Sequence, residues 1–257
     1  MTTFSNELVT TKSPDDNRDW VLESILNYKQ ELPTKVDYRV YLTAIRDQGS
    51  LGTCAAHTAA CIKEYQERKD IGYRNYLSPM FIYNNRVNQS TEGMYGRDVM
   101  KILSKYGICS EILLKHGIFL KPSKIPNECY DLAAHLKIKA YARINTLKGL
   151  KTALVLYGPC YISFPTYSKT TEMWKPLYKG QKPIGGHAMT VVGYKEDCFI
   201  IRNTWGKGWG KKGYCLYPFD DFGCHWEIWT TVDDDTTVDI EAFNKKHAPK
   251  RKFCKCF

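Results

Sequence analysis

The stretch DQGSLGTCAAH, residues 47–57, decides how the rest of the chain is read. Its glycines, Gly49 and Gly52, mark a turn-rich loop over residues 45–53. The alanine-rich run that begins at Cys54 and continues to about Lys69 is built from strong helix formers, so Cys54 is expected at a helix amino terminus. There the helix dipole and unpaired backbone N–H groups favour a thiolate, and a nearby histidinium would favour it further. Gln48 lies six residues earlier, and a sharp loop through the glycines can bring its amide beside the Cys54 backbone N–H. Two such donors would make an oxyanion hole.

Working outward, Gly185-Gly186-His187 leads into an apolar run and places an imidazole at the start of a strand. Asn203 follows 16 residues later and opens NTWGKGWGKKGY. Trp205 and Trp209 in that segment can screen an Asn–His hydrogen bond from water, and a dry bond holds one histidine tautomer. The first half reads as helical, with PMFIYNNRV starting at Ser78-Pro79 and RDVMKILSKY (97–106) closed by Gly107. After about Lys139, short β-branched and aromatic runs take over: CYISF (160–164), AMTVVGY (188–194), FIIRNTW (199–205) and GYCLYPF (213–219). Helices first and strands later indicate an α+β fold.

Three of these segments carry a family resemblance. DQGSLGTCAAH resembles the nucleophile loop of the papain and cathepsin family of cysteine peptidases, GGHAMTVVGY (185–194) its histidine strand, and RNTWGKGWGKKGY (202–214) its asparagine segment. LPTKVDYR (32–39) resembles the start of the mature enzymes, so the likeness covers about residues 32–232. The resemblance implies a two-lobed α+β fold, with a helical lobe, a β-barrel-like lobe and a cleft between them. It assigns Cys54 to nucleophilic attack, His187 to proton transfer, Asn203 to orienting His187, and Gln48 to the oxyanion hole. The activity implied is an endopeptidase working through an acyl-enzyme on protein or peptide substrates, with no metal and no organic cofactor. The alternative is a catalytically inactive papain-like protein that binds peptides or a partner.

By the same resemblance, TEGMYGRD (91–98) forms the cleft floor. Gly93 and Met94 would run beside the substrate backbone, Tyr95 would line the pocket for the second residue before the cut, and Ala188 would leave room. An apolar preference is expected there. Two departures stand out: Leu51 replaces a disulfide cysteine of secreted members, and Ala55 replaces a tryptophan beside the nucleophile. This pattern is similar to the bacterial and large-DNA-virus branch, so such a source is expected.

The domain organisation expected is an amino-terminal arm or short propeptide over 1–31, a peptidase domain over 32–244 with lobes meeting near 139–140, and a basic tail over 245–257. In the arm, DWVLESILNYKQEL has helical periodicity, and any autoinhibition would depend on its lying over the cleft. Leu32-Pro33 ends that helix. The chain is 257 residues long with 43% apolar and 25% charged residues, enough for a real core. Of its formal charge of +10, the tail residues Lys245, Lys246, Lys250, Arg251, Lys252 and Lys255 supply six, so no nucleic-acid partner is required.

No secretion signal opens the chain and no run approaches the roughly 18 apolar residues of a membrane span. An intracellular monomer is expected, in host cytoplasm or virion if the source is viral. Ten cysteines without an export signal read as reduced thiols, mostly small buried apolar residues. His57 reads as packing, Cys224-His225 lacks a second pair at zinc-ligand spacing, and Cys254-Lys255-Cys256-Phe257 fits a prenylation box poorly.

Overall fold

The computed structural model describes residues 9–249. In chain order its elements are α1 (Leu22–Ile25), β1 (Lys35–Asp37), α2 (Cys54–Ile71), α3 (Pro79–Asn84), α4 (Gly96–Lys105) and α5 (Asn127–Ala133), then β2 (Ile138–Arg143), α6 (Leu147–Tyr157), β3 (Cys160–Thr166), β4 (Gly185–Lys195), β5 (Cys198–Arg202), β6 (Tyr214–Pro218), β7 (Glu227–Asp233) and α7 (Ile240–His247). The local causes are familiar ones. Ser78 caps α3 by accepting the Phe81 N–H, with Pro79 in the first turn. Gly72 ends α2 in the left-handed region at φ 71°, with Arg68 and Lys69 in the last turn to complement the dipole.

Helix α2 is buried along most of its length, and its alanines explain how. Ala55, Ala56, Ala59 and Ala60 are all essentially inaccessible and let the helix lie close against β4. One apolar core gathers α2 with Phe81, Ile82, Val99, Leu103 and Leu132 of the other helices. A second lies between the sheet and α6, around Leu150, Ile162, Phe164, Met189 and Trp174. These are the centres of the two lobes. The chain crosses between them at both ends, since β1 pairs with β4 while Ile240 of α7 packs in the helical core.

The sheet is antiparallel, in the order β2-β7-β3-β4-β5-β6, with β1 added to β4. It is open where the sequence suggested a barrel-like lobe: among the described residues no ladder joins β2 to β6. The outer edge of β2 has another partner, because Val21 bridges to Arg143 and the Arg143 N–H donates to Trp20 O at 2.7 Å. An edge already paired with a neighbouring segment gains little from closure.

The amino-terminal segment also differs from its periodicity. The helix expected in DWVLESILNYKQEL is the single turn α1, which packs Leu22 into the sheet core and leaves Trp20 and Ile25 exposed. Six of the eight cysteines within the described residues are buried and Cys224 is exposed; all eight are unpaired. Most of the basic tail, with Cys254 and Cys256, lies outside the described residues.

A buried ionic lock ties α2 to the end of β7. The Lys63 ammonium, wholly inaccessible, contacts Glu67 at 2.7 Å and the Asp233 carboxylate, and donates to Lys137 O at 3.1 Å. Burial raises both carboxyl pKa values, and Lys63 opposes the rise.

Candidate active site

Cys54 is the first residue of α2 and is fully buried. Its thiol lies against the start of β4, where the Ala188 backbone N–H favours the thiolate, as does the N–H of Ala55. Burial outweighs these and pushes the thiol above its ordinary pKa. His187 precedes Ala188 on β4, opposite Phe164 of β3, and is itself fully buried.

Asn203 follows β5, its N–H held by Gly213 O at 3.0 Å. Its Oδ1 accepts from the Thr204 N–H at 2.7 Å and lies 2.7 Å from His187 Nε2. An amide oxygen only accepts, so Nε2 carries the hydrogen and Nδ1 is the basic nitrogen of the neutral ring. Trp205 stacks on the imidazole with centroids 4.2 Å apart, and Trp209 meets Trp205 edge-on at 5.7 Å. These indoles cover the Asn203–His187 bond from one side.

Gln48 comes to the same place from the other lobe. Residues 46–48 are stapled to 204–206: Gln48 N–H donates to Thr204 O at 2.8 Å, Gly206 N–H donates to Arg46 O at 2.9 Å, and Asp47 bridges to Trp205. The Gln48 amide is fixed at both atoms, Oε1 accepting from the Thr204 hydroxyl at 2.5 Å and Nε2 donating to Leu51 O at 2.7 Å. Gly49, at φ 61°, makes the turn that returns the loop toward Cys54. Thr204, which the sequence reading passed over, thus holds Asn203 through its backbone and Gln48 through its side chain.

Residues 9–13 lie over Cys54. The Thr10 hydroxyl is 2.9 Å from Cys54 Sγ, and the Thr10 N–H donates to Gly186 O at 3.2 Å. Val9 bridges to Gly186 and Thr11 to Tyr95, both in parallel sense. Gly93 and Gly186 have no room for a Cβ, being pressed against the carbonyls of Val9 and Thr10. Ser13 is buried and donates its N–H to Glu227 Oε1 at 3.3 Å, while its hydroxyl accepts the Arg97 N–H at 3.1 Å. The segment over the nucleophile is therefore TTKS and its neighbours, with DWVLES packed alongside β2 and α6. Nothing in this short polar run distinguishes it in the sequence, because its contacts are made by backbone and small hydroxyls.

Among the residues expected along the cleft, Gly93 and Tyr95 border this segment, Met94 is buried in the helical core, and Ala188 is wholly inaccessible. Thr11, Arg86, Glu92, Tyr95 and Asp98 share a cavity of about 250 Å³ beside Gly93, whose lining mixes polar and apolar surface. His57 lies inside α2, with Nδ1 on Thr53 O at 3.0 Å and its ring against His116. Among the described residues no group of three or more metal-ligating side chains comes together.

A cysteine at a helix start, packed against the strand that carries an amide-anchored histidine, is the constellation of a thiol hydrolase. The papain-family cysteine protease model matches residues 32–228, and the chain belongs to that family. It is 31% identical over 198 residues to an uncharacterised peptidase C1-like protein of Acanthamoeba polyphaga mimivirus, covering 67% of this chain and 63% of that protein. Mouse cathepsin K is 30% identical over 207 residues, covering 74% and 60%. The chain thus spans somewhat under two thirds of the length of these relatives. Among solved structures, xylellain, a cysteine protease from Xylella fastidiosa, superposes with a TM-score of 0.74 at 26% identity, covering 90% of this chain and 97% of that one.

Proposed function

We propose that the chain hydrolyses peptide bonds with Cys54 as nucleophile, His187 as proton carrier, Asn203 as the group that orients it and Gln48 as an oxyanion donor, and that its amino-terminal arm, residues 1–31, holds it inactive. The observation that carries this reading is Cys54 at the first turn of α2, against the strand bearing a histidine whose Nε2 is anchored on Asn203 Oδ1.

The thiolate attacks the carbonyl carbon, forming the C–S bond, and the oxyanion is met by the Cys54 N–H and the Gln48 amide. His187 delivers its Nδ1 proton to the departing amine as the C–N bond breaks. Water then gives a proton to Nδ1 while its oxygen attacks the thioester, and the C–S bond breaks to release the acid. Asn203 Oδ1 accepts the Nε2 hydrogen throughout, so the ring keeps its orientation in both charge states.

Endopeptidase action is the reading the arm supports, since the chain crosses Cys54 at Thr10 and continues past Tyr95. While the arm is in place Thr10 occupies the space in front of the thiol, and burial pushes the thiol pKa up although the Thr10 hydroxyl itself favours the thiolate. Unpaired cysteines throughout the described residues suit a reducing compartment, and a monomer acting on protein or peptide substrates needs no further partner.

The test uses the full chain with a protease site inserted in the exposed coil of residues 29–31, cut after folding. An epoxide that alkylates active thiolates should then modify Cys54 selectively and abolish turnover of a fluorogenic peptide, and Cys54→Ala should be inactive and folded. A cut chain whose Cys54 stays unlabelled would overturn the reading in favour of a peptide-binding module.

A further inference from the structure

Beyond the catalytic residues, the arm is held at a second place whose chemistry is strongly defined. Asp19 is almost fully buried, and its carboxylate is gripped by two arginines from different elements. Arg97 of α4 donates from Nε to Oδ1 at 2.8 Å and from Nη2 to Oδ2 at 2.5 Å, and Arg143 of β2 lies 3.5 Å from Oδ2. The two guanidinium groups also lie near one buried ring: Arg97 Cζ is 5.9 Å and Arg143 Cζ 5.6 Å from the Trp229 centroid. Such pairing is a planar, two-pronged receptor for a carboxylate, preorganised by the indole beneath it.

What else could neutralise these arginines is limited. Arg97 also donates to Pro14 O, and Arg143 has a long contact to the exposed Asp15, but both partners belong to the arm. Of the carboxylates outside the arm, Glu227 is committed to the Gly96 N–H and to Trp229 Nε1, and Asp98 of α4 acts on Arg97 through space without pairing with it. Departure of the arm therefore takes away the carboxylates ion-paired with two adjacent cations that are only about a tenth exposed in the covered state. Burying or crowding two like charges is costly unless an anion returns.

The site lies along the arm's course away from the cleft. The arm passes from Thr10 on Cys54 to Thr11 on Tyr95, to Ser13 on Glu227 and the Arg97 backbone, and so to Asp19. Arg97 is thus reached by continuing past the Tyr95 side of the nucleophile, the side assigned to residues before the cut. We propose that Arg97 and Arg143 form a carboxylate-binding subsite, filled by Asp19 in the covered chain and taken by an acidic side chain upstream of the scissile bond once the arm has left. This rests on the peptidase reading for its substrate half, whereas the carboxylate receptor itself does not.

The test separates the two. The full chain carrying Cys54→Ala and the cleavable site at 29–31 is folded, cut and freed of its arm, with near-ultraviolet circular dichroism confirming the fold. Binding of a labelled peptide of residues 9–25 is compared with its Asp19→Asn counterpart by fluorescence anisotropy. The amide peptide should bind roughly 10- to 100-fold more weakly, and R143Q, which removes the longer of the two arginine contacts to Asp19, should narrow that difference. In the cut chain with Cys54 intact, peptides with aspartate rather than asparagine among the third to sixth residues before the cut should show a kcat/KM advantage that R143Q also narrows.

Equal binding of the aspartate and asparagine arm peptides would overturn the receptor. Unequal arm binding with no preference among hydrolysed substrates would overturn its substrate role. Absence of all hydrolysis with the arm-binding difference intact would instead fault the peptidase reading.

Discussion

Replacing Lys63 by methionine is a demanding test of how the nucleophile's helix is held. The ammonium has three hydrogens and three acceptors, Glu67, Asp233 and Lys137 O; Lys63 and Glu67 are wholly buried and Asp233 keeps a partly exposed edge. Methionine fills much of the same volume but leaves two carboxylates facing each other with only residual donors, the Thr236 hydroxyl to Glu67 and the Asp234 N–H to Asp233. Breaking a buried ion pair from one side costs about 3 to 5 kcal/mol, which for a chain of this size lowers the melting temperature by on the order of 10 °C.

The sign of the pH dependence follows from the carboxyls. Burial already raises the folded pKa of Glu67 and Asp233, and removing Lys63 removes what opposes that rise. A raised carboxyl pKa means the folded state holds protons that the unfolded state has lost, so the variant loses stability as pH rises through the folded pKa and regains it on acidification. Urea unfolding of both proteins at about pH 7.5 and about pH 5 should show a deficit that is largest at the higher pH. A deficit below about 1 kcal/mol, or one that grows on acidification, would refute the view that Lys63 neutralises a buried acidic pair.

Thr204→Val keeps the N–H that holds Asn203 but removes the hydroxyl on Gln48; kcat should fall about tenfold with KM little changed, and alkylation of Cys54 in the cut chain should proceed at the wild-type rate. Asp19→Asn in the uncut chain weakens a charge-assisted grip on the arm, so epoxide labelling of Cys54 should accelerate roughly tenfold, and an unchanged rate would show that the arm opens without breaking that contact. His57 and His116 are both held below the usual histidine pKa by burial and by Arg46. They stay neutral in the fold, so stability is lost as pH falls below about 6.5, where the unfolded chain takes up protons first. His116→Gln should flatten that part of the stability profile.

The parts of the fold that were legible in the sequence are those whose signals are local. A cysteine followed by alanines and closed by Gly72 reads as a helix, and Ser78-Pro79 reads as a cap, because capping chemistry acts within one turn. The catalytic candidates were legible because glycines and tryptophans crowd around them in three separated segments. β7 was not, since EIWTTVD carries a glutamate and is buried on both faces, which hides any alternation. The one-turn α1 shows the opposite failure: Trp20 and Ile25 have helical spacing, yet the tertiary contacts claim Leu22 and Glu23 instead. The outer edge of β2 is met by the arm, a contact between segments over a hundred residues apart that no local pattern announces. Glu227 and Arg143 lie in no quoted motif, Arg97 was given no role within TEGMYGRD, and the three acquire their meaning only when α4, β2 and β7 meet.

The segment on Cys54 is joined to the rest of the chain through the coil that leads to β1, so its return to the cleft is an intramolecular event. A tether of this length gives an effective local concentration on the order of millimolar. Occupancy of the cleft is therefore set by the ratio of two unimolecular rates and is the same in a crowded compartment as in a dilute assay. Dilution cannot free the thiol, and a competing peptide must outbid a neighbour that never diffuses away. Cutting the coil changes the order of the process: the arm becomes a separate solute, and the same contacts that hold it in the intact chain are then subject to mass action.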